Sequence, residues 1–136
     1  EIAGVHTGKI FGEYSYGEVL GYKLYGVPLI IGFNWLFVIL GAFSICNYFS
    51  KNNFIVVFFT AVLATVFDYL LEPVAMDLGY WNWANIIIPF QNYLAWFIIS
   101  FLLSLSLIYF RLKISSEIYI HFFTAQLIFF LFLNFR

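Results

Sequence analysis

The chain is a series of long apolar runs separated by short polar breaks. Residues 27–49, 54–76, 91–110 and 118–135 are apolar almost throughout. Each approaches the ~20 residues that carry an α-helix across a ~30 Å hydrocarbon layer. They are too long for the strands of a membrane barrel, and they lack apolar–polar alternation. A helix satisfies its own backbone, as hydrocarbon demands. The pattern predicts an all-α, polytopic transmembrane bundle of at least four helices, in a single membrane domain over residues 1–136. Ser50 to Asn53 reads as a polar turn, and Arg111 to Glu117 as a basic loop with serines before the last helix. Asp77 to Phe90 is the longest break and carries Trp81 and Trp83 but no Lys or Arg. Pro28 belongs in the first turn of its helix, where a missing N–H costs nothing. Pro73 is expected to kink or end the second long helix.

Residues 1–26 are glycine-rich and do not read as a span. Gly4, Gly8 and Gly12, and then Gly17 and Gly21, recur at the four-residue spacing that lets membrane helices approach closely. The accompanying Tyr14, Tyr16, Tyr22, Tyr25, Glu13, Glu18 and Lys23 favour an interfacial or re-entrant segment instead. The chain opens at Glu1 with no signal-peptide pattern. A truncated N-terminus, with at least one upstream helix missing, is expected.

Composition supports the membrane reading: 64% of the residues are hydrophobic and 10% charged, against ~45–50% and ~25% for soluble domains. The net charge of -1 leaves no basic patch for nucleic acid. The single cysteine, Cys46, excludes an intrachain disulfide and a thiolate metal cluster and reads as packing. Lys51, Arg111 and Lys113 fall on one side of the bundle, and Lys9, Lys23 and Arg136 on the other. The first set lies in short loops near helix ends, which places those loops in the cytoplasm.

Candidate chemistry concentrates in FDYLLEPVAMD, residues 67–77. Asp68 and Glu72 are one helical turn apart and share a face. Asp68 lies ~12 Å below the Met76 end of its helix. A carboxylate in the membrane costs at least ~2.5 kcal/mol at the centre and less near the edge, so such residues line a cavity or pair with another group. The structural alternative is a pair with Lys23 or Arg136. Asp77, at the interface, reads as solvated. Asn34 and Trp35 start the first long helix, and Asn92 and Trp96 start the third at i, i+4. Helix directions alternate, so these residues, Trp81 and Trp83 converge on the face that holds Asp68 and Glu72. For Trp81 and Trp83 the alternative is an interfacial aromatic belt. His121 stands alone and reads as packed, so no metal ligand set is present. Ser100, Ser104 and Ser106 are expected to bond to their own helix. No glycine-rich nucleotide loop occurs.

A carboxylic acid in an apolar site keeps its proton to higher pH. It can protonate an electron-rich alkene held in lipid. Aromatic faces and a second, ionised carboxylate stabilise the resulting carbocation. Water or an internal double bond then captures it. Asp68 is the expected proton donor, and Glu72 is expected to orient water or stabilise the cation. If Asp68 is not the acid, Glu72 or Glu1 is the candidate.

Three runs, HTGKIFGEYSYGEVLGYKLYGVPLIIGFNW (6–35), FDYLLEPVAMDLGYWNW (67–83) and IPFQNYLAWF (88–97), resemble the bacterial and archaeal carotenoid biosynthesis membrane proteins. That family includes the CruF-type carotenoid 1',2'-hydratases and the bisanhydrobacterioruberin hydratases. The resemblance covers residues 1 to about 100 and implies a cofactor-independent hydratase (a lyase) acting on the acyclic end of a carotenoid. It implies a multi-pass protein of a bacterial or archaeal cytoplasmic membrane, with a carotenoid and the lipid bilayer as partners. A homo-oligomer or a membrane complex stays open. By motif, the acids are Asp68 and Glu72, the aromatic element is Gly79, Trp81 and Trp83, and the next polar–aromatic element is Asn92 and Trp96. Glu72 precedes Pro73 where the family pattern has Asp, which keeps the acid and lengthens it. Two other readings remain beside the hydratase. One is a lycopene-cyclase-like carotenoid cyclase, and the other is a non-catalytic membrane subunit or small transporter.

Overall fold

The computed structural model describes residues 1–112, 114 and 116–136. Lys113, used in the charge count above, and Ser115, a serine of the basic loop, lie outside the described residues. Four long helices dominate: α2 (Leu29–Phe49), α3 (Asn53–Asp77), α4 (Phe90–Tyr109) and α5 (Glu117–Asn134). At ~1.5 Å per residue they span ~27 to ~38 Å, enough to cross a ~30 Å hydrocarbon core. The chain is a multi-pass membrane protein.

Local chemistry sets the helix ends. Asn52 caps α3, its side chain accepting hydrogen bonds from the backbone N–H groups of Phe54 (3.0 Å) and Ile55 (3.3 Å). Pro28 and Pro89 stand at the N-caps of α2 and α4, where a missing N–H is tolerated. Pro73 does not end α3, which runs on to Asp77. Neighbouring spans can re-satisfy the carbonyl it frees, so proline is tolerated in such helices.

Helix α3 is the hub, packed against α2, α4 and α5. Phe67 is fully buried, with the rings of Phe123 and Phe130 of α5 at 5.6 and 5.7 Å. α2 and α5 approach so closely at Gly41 that a Cβ there would strike Phe123 and the Tyr119 carbonyl. Cys46 is free and buried among Phe43 and Val56, as packing. The outward faces are apolar too: Phe33, Leu36, Phe59, Leu102 and Phe132 are exposed. Lipid covers such faces without penalty.

The segment before α2 is not a span. It holds a short helix α1 (Ile2–Thr7) and three short strands, β1 (Tyr14–Tyr16), β2 (Lys23–Leu24) and β3 (Val27–Pro28). The glycine spacing that suits a packed helix serves turns here. Gly8 closes α1 at φ 63°, and Gly12 sits at φ 114°, a region closed to most side chains. The long break between α3 and α4 also holds a strand, β4 (Trp81–Trp83). β1 and β4 pair antiparallel, Tyr14 opposite Trp83 and Tyr16 opposite Trp81. Side chains alternate along a strand, so both tyrosines and both tryptophans project from one face while Ser15 and Asn82 point away, exposed. Hydrogen bonds from Gly17 N–H to the Tyr80 carbonyl (2.8 Å) and from Ala84 N–H to the Glu13 carbonyl (3.0 Å) extend the pairing at both ends. The Gln91 side chain ties the turn at Lys9 and Ile10 to the start of α4. The N-terminal segment thus closes one end of the bundle.

Candidate active site

Under the β1–β4 pair lies a void of about 30 Å³. Its walls include Asn34 and Trp35 from α2, Asp68 and Glu72 from α3, Trp81 and Trp83 from β4, and Asn92 and Trp96 from α4. The candidate residues of four separate elements therefore meet at one point. Asp68, Glu72 and Asn92 are almost wholly buried, at 1%, 2% and 2% exposure.

Asn92 joins the two acids of α3. Its amide nitrogen donates to Asp68 Oδ2 at 2.6 Å and to Glu72 Oε1 at 3.1 Å. An amide has two N–H donors, and both are spent on carboxylates. Glu72 Oε2 accepts two further bonds, from the indole N–H of Trp81 (2.9 Å) and of Trp83 (2.8 Å). Glu72 therefore faces three donors, an arrangement suited to an ionised carboxylate. Asp68 differs: its Oδ1 is buried and has no hydrogen-bond partner among the described residues. Trp81 and Trp83 are buried side chains that hold an acid, not a belt at the lipid boundary.

A third carboxylate stands beside the pair. Glu1 Oε2 accepts from the phenols of Tyr14 (2.6 Å) and Tyr16 (2.8 Å), and Oε1 from the Trp35 indole N–H (2.7 Å). Burial first, then the Glu1 charge, pushes both phenols well above the usual tyrosine range. They stay protonated and keep donating. Trp35 stacks on Trp96 with ring centroids 3.7 Å apart and planes 12° from parallel. Asn34 Oδ1 accepts from Gln126 of α5 at 2.9 Å.

Among the described residues no lysine or arginine answers these acids. The one ion pair among the described residues is Lys23–Glu18 at 2.7 Å, so the alternative pairing of the α3 acids with Lys23 or Arg136 does not form. Asp77 is exposed and stands apart from the void. His121 is exposed rather than packed. No group of three His, Cys, Asp or Glu side chains placed to hold a metal occurs among the described residues. Ser104 and Ser106 bond to their own helix, but the buried Ser100 hydroxyl has no partner among the described residues.

Sequence reasoning missed Tyr14 and Tyr16 as site residues and ranked Glu1 behind the α3 acids. The usable signal was the Tyr-x-Tyr and Trp-x-Trp alternation, a period of two that marks strands rather than a loop.

The model of the carotenoid biosynthesis protein family matches residues 1–135. The chain belongs to that family. This carotenoid biosynthesis protein is also similar to the bisanhydrobacterioruberin hydratase of Haloarcula japonica, with 33% identity over 104 residues. The aligned part is 71% of this chain and 36% of the relative, so the chain spans about a third of the relative's length. No solved structure matches it.

Proposed function

We propose that this protein is a carotenoid hydratase, adding water across the terminal alkene of an acyclic carotenoid end without a cofactor. Its place is the cytoplasmic membrane of a bacterium or archaeon. The observation that carries the reading is the buried acid pair, Asp68 and Glu72, bridged by Asn92 beside a void of about 30 Å³. The void exceeds the ~10–15 Å³ in which a water fits, and a water needs two to four polar partners. Asn34, Asn92 and the carboxylates are such partners.

In this reading Asp68 gives its proton to the CH carbon of the terminal trisubstituted alkene. The π electrons form the new C–H bond, and the tertiary carbon becomes a cation. Glu72, fixed by Trp81, Trp83 and Asn92, supplies the opposing charge, and the aromatic walls add their π faces. Water attacks the cation, forms the C–O bond and gives up a proton to a carboxylate of the site, which leaves a tertiary alcohol and replaces the proton that Asp68 spent. The name of the Haloarcula relative supports hydration over cyclisation, and so does a void with polar walls, because a cyclase must keep water from the cation.

The test is incubation of membranes with lycopene in isotopically labelled water, followed by mass spectrometry. The expected product is heavier than its substrate by one labelled water. A ring-bearing product of unchanged mass would move the assignment to a cyclase. No conversion of any acyclic carotenoid would move it to a non-catalytic membrane subunit.

A further inference from the structure

The central void is too small for a polyene, so the substrate has to reach the acids from a neighbouring space. Two apolar grooves of ligand size adjoin it. One, about 440 Å³, lies between α2 and α5 and is lined by Ile30, Tyr80, Ala125 and Phe129, with Asn34 and Trp81 at its inner wall. The other, about 540 Å³, lies between α2 and α4 and is lined by Val27, Leu29, Gly32, Ile99 and Leu103. Glu1, Phe11 and Trp35 line both this second groove and the void. Among the described residues no carboxylate lines the first groove, and in the second Glu1 does.

Gly32 is an independent sign. It lies in α2, four residues after Pro28 and three before Trp35, so all three share a face. Glycine weakens a helix relative to alanine, and this one has no positive φ. A Cβ at Gly32 would meet nothing within 4 Å. Packing within the chain does not require the glycine, and its effect is to widen the groove that leads to Glu1.

We propose that the α2–α4 groove binds the acyclic end of the polyene and that Glu1 is a further catalytic residue. The proposal rests on the hydratase reading. The alkene lies where groove and void meet, between Glu1 and Asp68. Asp68 protonates the alkene, and the water that attacks the cation forms the C–O bond and releases a proton to Glu1. The proton Glu1 gains equals the one Asp68 lost, and its return across the void resets the site. Tyr14, Tyr16 and Trp35, all donors, hold Glu1 as the acceptor this step needs.

The experiment uses the full-length protein in lipid nanodiscs. Binding of lycopene is followed by quenching of tryptophan fluorescence, and turnover is measured separately. Gly32→Leu should weaken binding about tenfold or more with no loss of thermal stability. Leu103→Trp gives the same test if that variant folds poorly. Ala125→Leu, in the other groove, should leave binding and turnover unchanged. Glu1→Gln should bind lycopene as before and lose turnover. Wild-type binding in Gly32→Leu and Leu103→Trp, as expected if a lipid chain occupies the groove, overturns the proposed route. Wild-type turnover in Glu1→Gln overturns its role. Hydration that is insensitive to all these changes leaves the hydratase reading standing and removes this inference. Gly32-dependent binding without hydration keeps the groove and removes both the hydratase reading and the role of Glu1.

Discussion

Asn92 spends both amide hydrogens on Asp68 and Glu72, and the two acids nonetheless end in different states of satisfaction. Glu72 has three donors, while Asp68 Oδ1 has none among the described residues. Two equal, fully ionised carboxylates side by side in hydrocarbon would repel each other, and no cation among the described residues answers them. In the proposed reaction, the acid committed to acceptance is the cation stabiliser and the one with a free oxygen is the proton donor. Asp68→Asn keeps the shape of the side chain and removes the deliverable proton. The expected result is a fall in turnover of at least ~10²-fold, the contribution of a general acid, with unchanged protein level in the membrane. Turnover near that of the unmodified protein would exclude Asp68 as the acid. The pair was legible in sequence because a one-turn spacing puts both acids on one face. Their different partners were not, because Trp81, Trp83 and Asn92 come from outside that helix.

Among the elements, the β1–β4 pair does what no helix of the bundle could. Two strands of three residues present four aromatic rings from one face, at the pleated period of two. Two of those rings hold Glu72 and the other two hold Glu1. The pairing depends on a close approach of backbones, since a Cβ on Gly17 would run into the Gly79 carbonyl oxygen. Gly17→Ala should therefore cost ~1–3 kcal/mol, as overpacking does, and turnover should fall as the aromatic residues shift. Thermal unfolding in detergent checks the first effect, with Gly32→Ala as the reference, where the added methyl meets open space. Equal stability of the two variants would mean that the strand pair contributes nothing to the fold. Sequence reading took these residues as an interfacial segment and a loop. The strands are only three residues long and pair across more than sixty positions of chain, so the period of two in each is brief and nothing local to either strand names its partner.

At the scale of the molecule, the alternating helices set the Lys51 turn and the Arg111 turn at the end of the bundle opposite the acid cluster. Cysteines introduced at Ser50 and Leu112 should react with a membrane-impermeant reagent from one side of a sealed vesicle, and a cysteine at Val19 from the other. The substitutions belong in a Cys46→Ala background. Labelling of all three from one side would break the four-span topology. That topology was determined by the sequence itself, because hydrocarbon forces each apolar run of about twenty residues to close its own hydrogen bonds as a helix. The position of Asp68 and Glu72 on one face followed from the same helical geometry. Only the tertiary structure decided that Glu1 joins acids some seventy residues away. It alone paired Tyr14 and Tyr16 with Trp83 and Trp81, and left a groove beside Gly32. Those arrangements depend on which helix faces meet and on where a capping segment folds back. In an apolar bundle the hydrophobic pattern is almost uniform around each helix, so it does not say which face is inward.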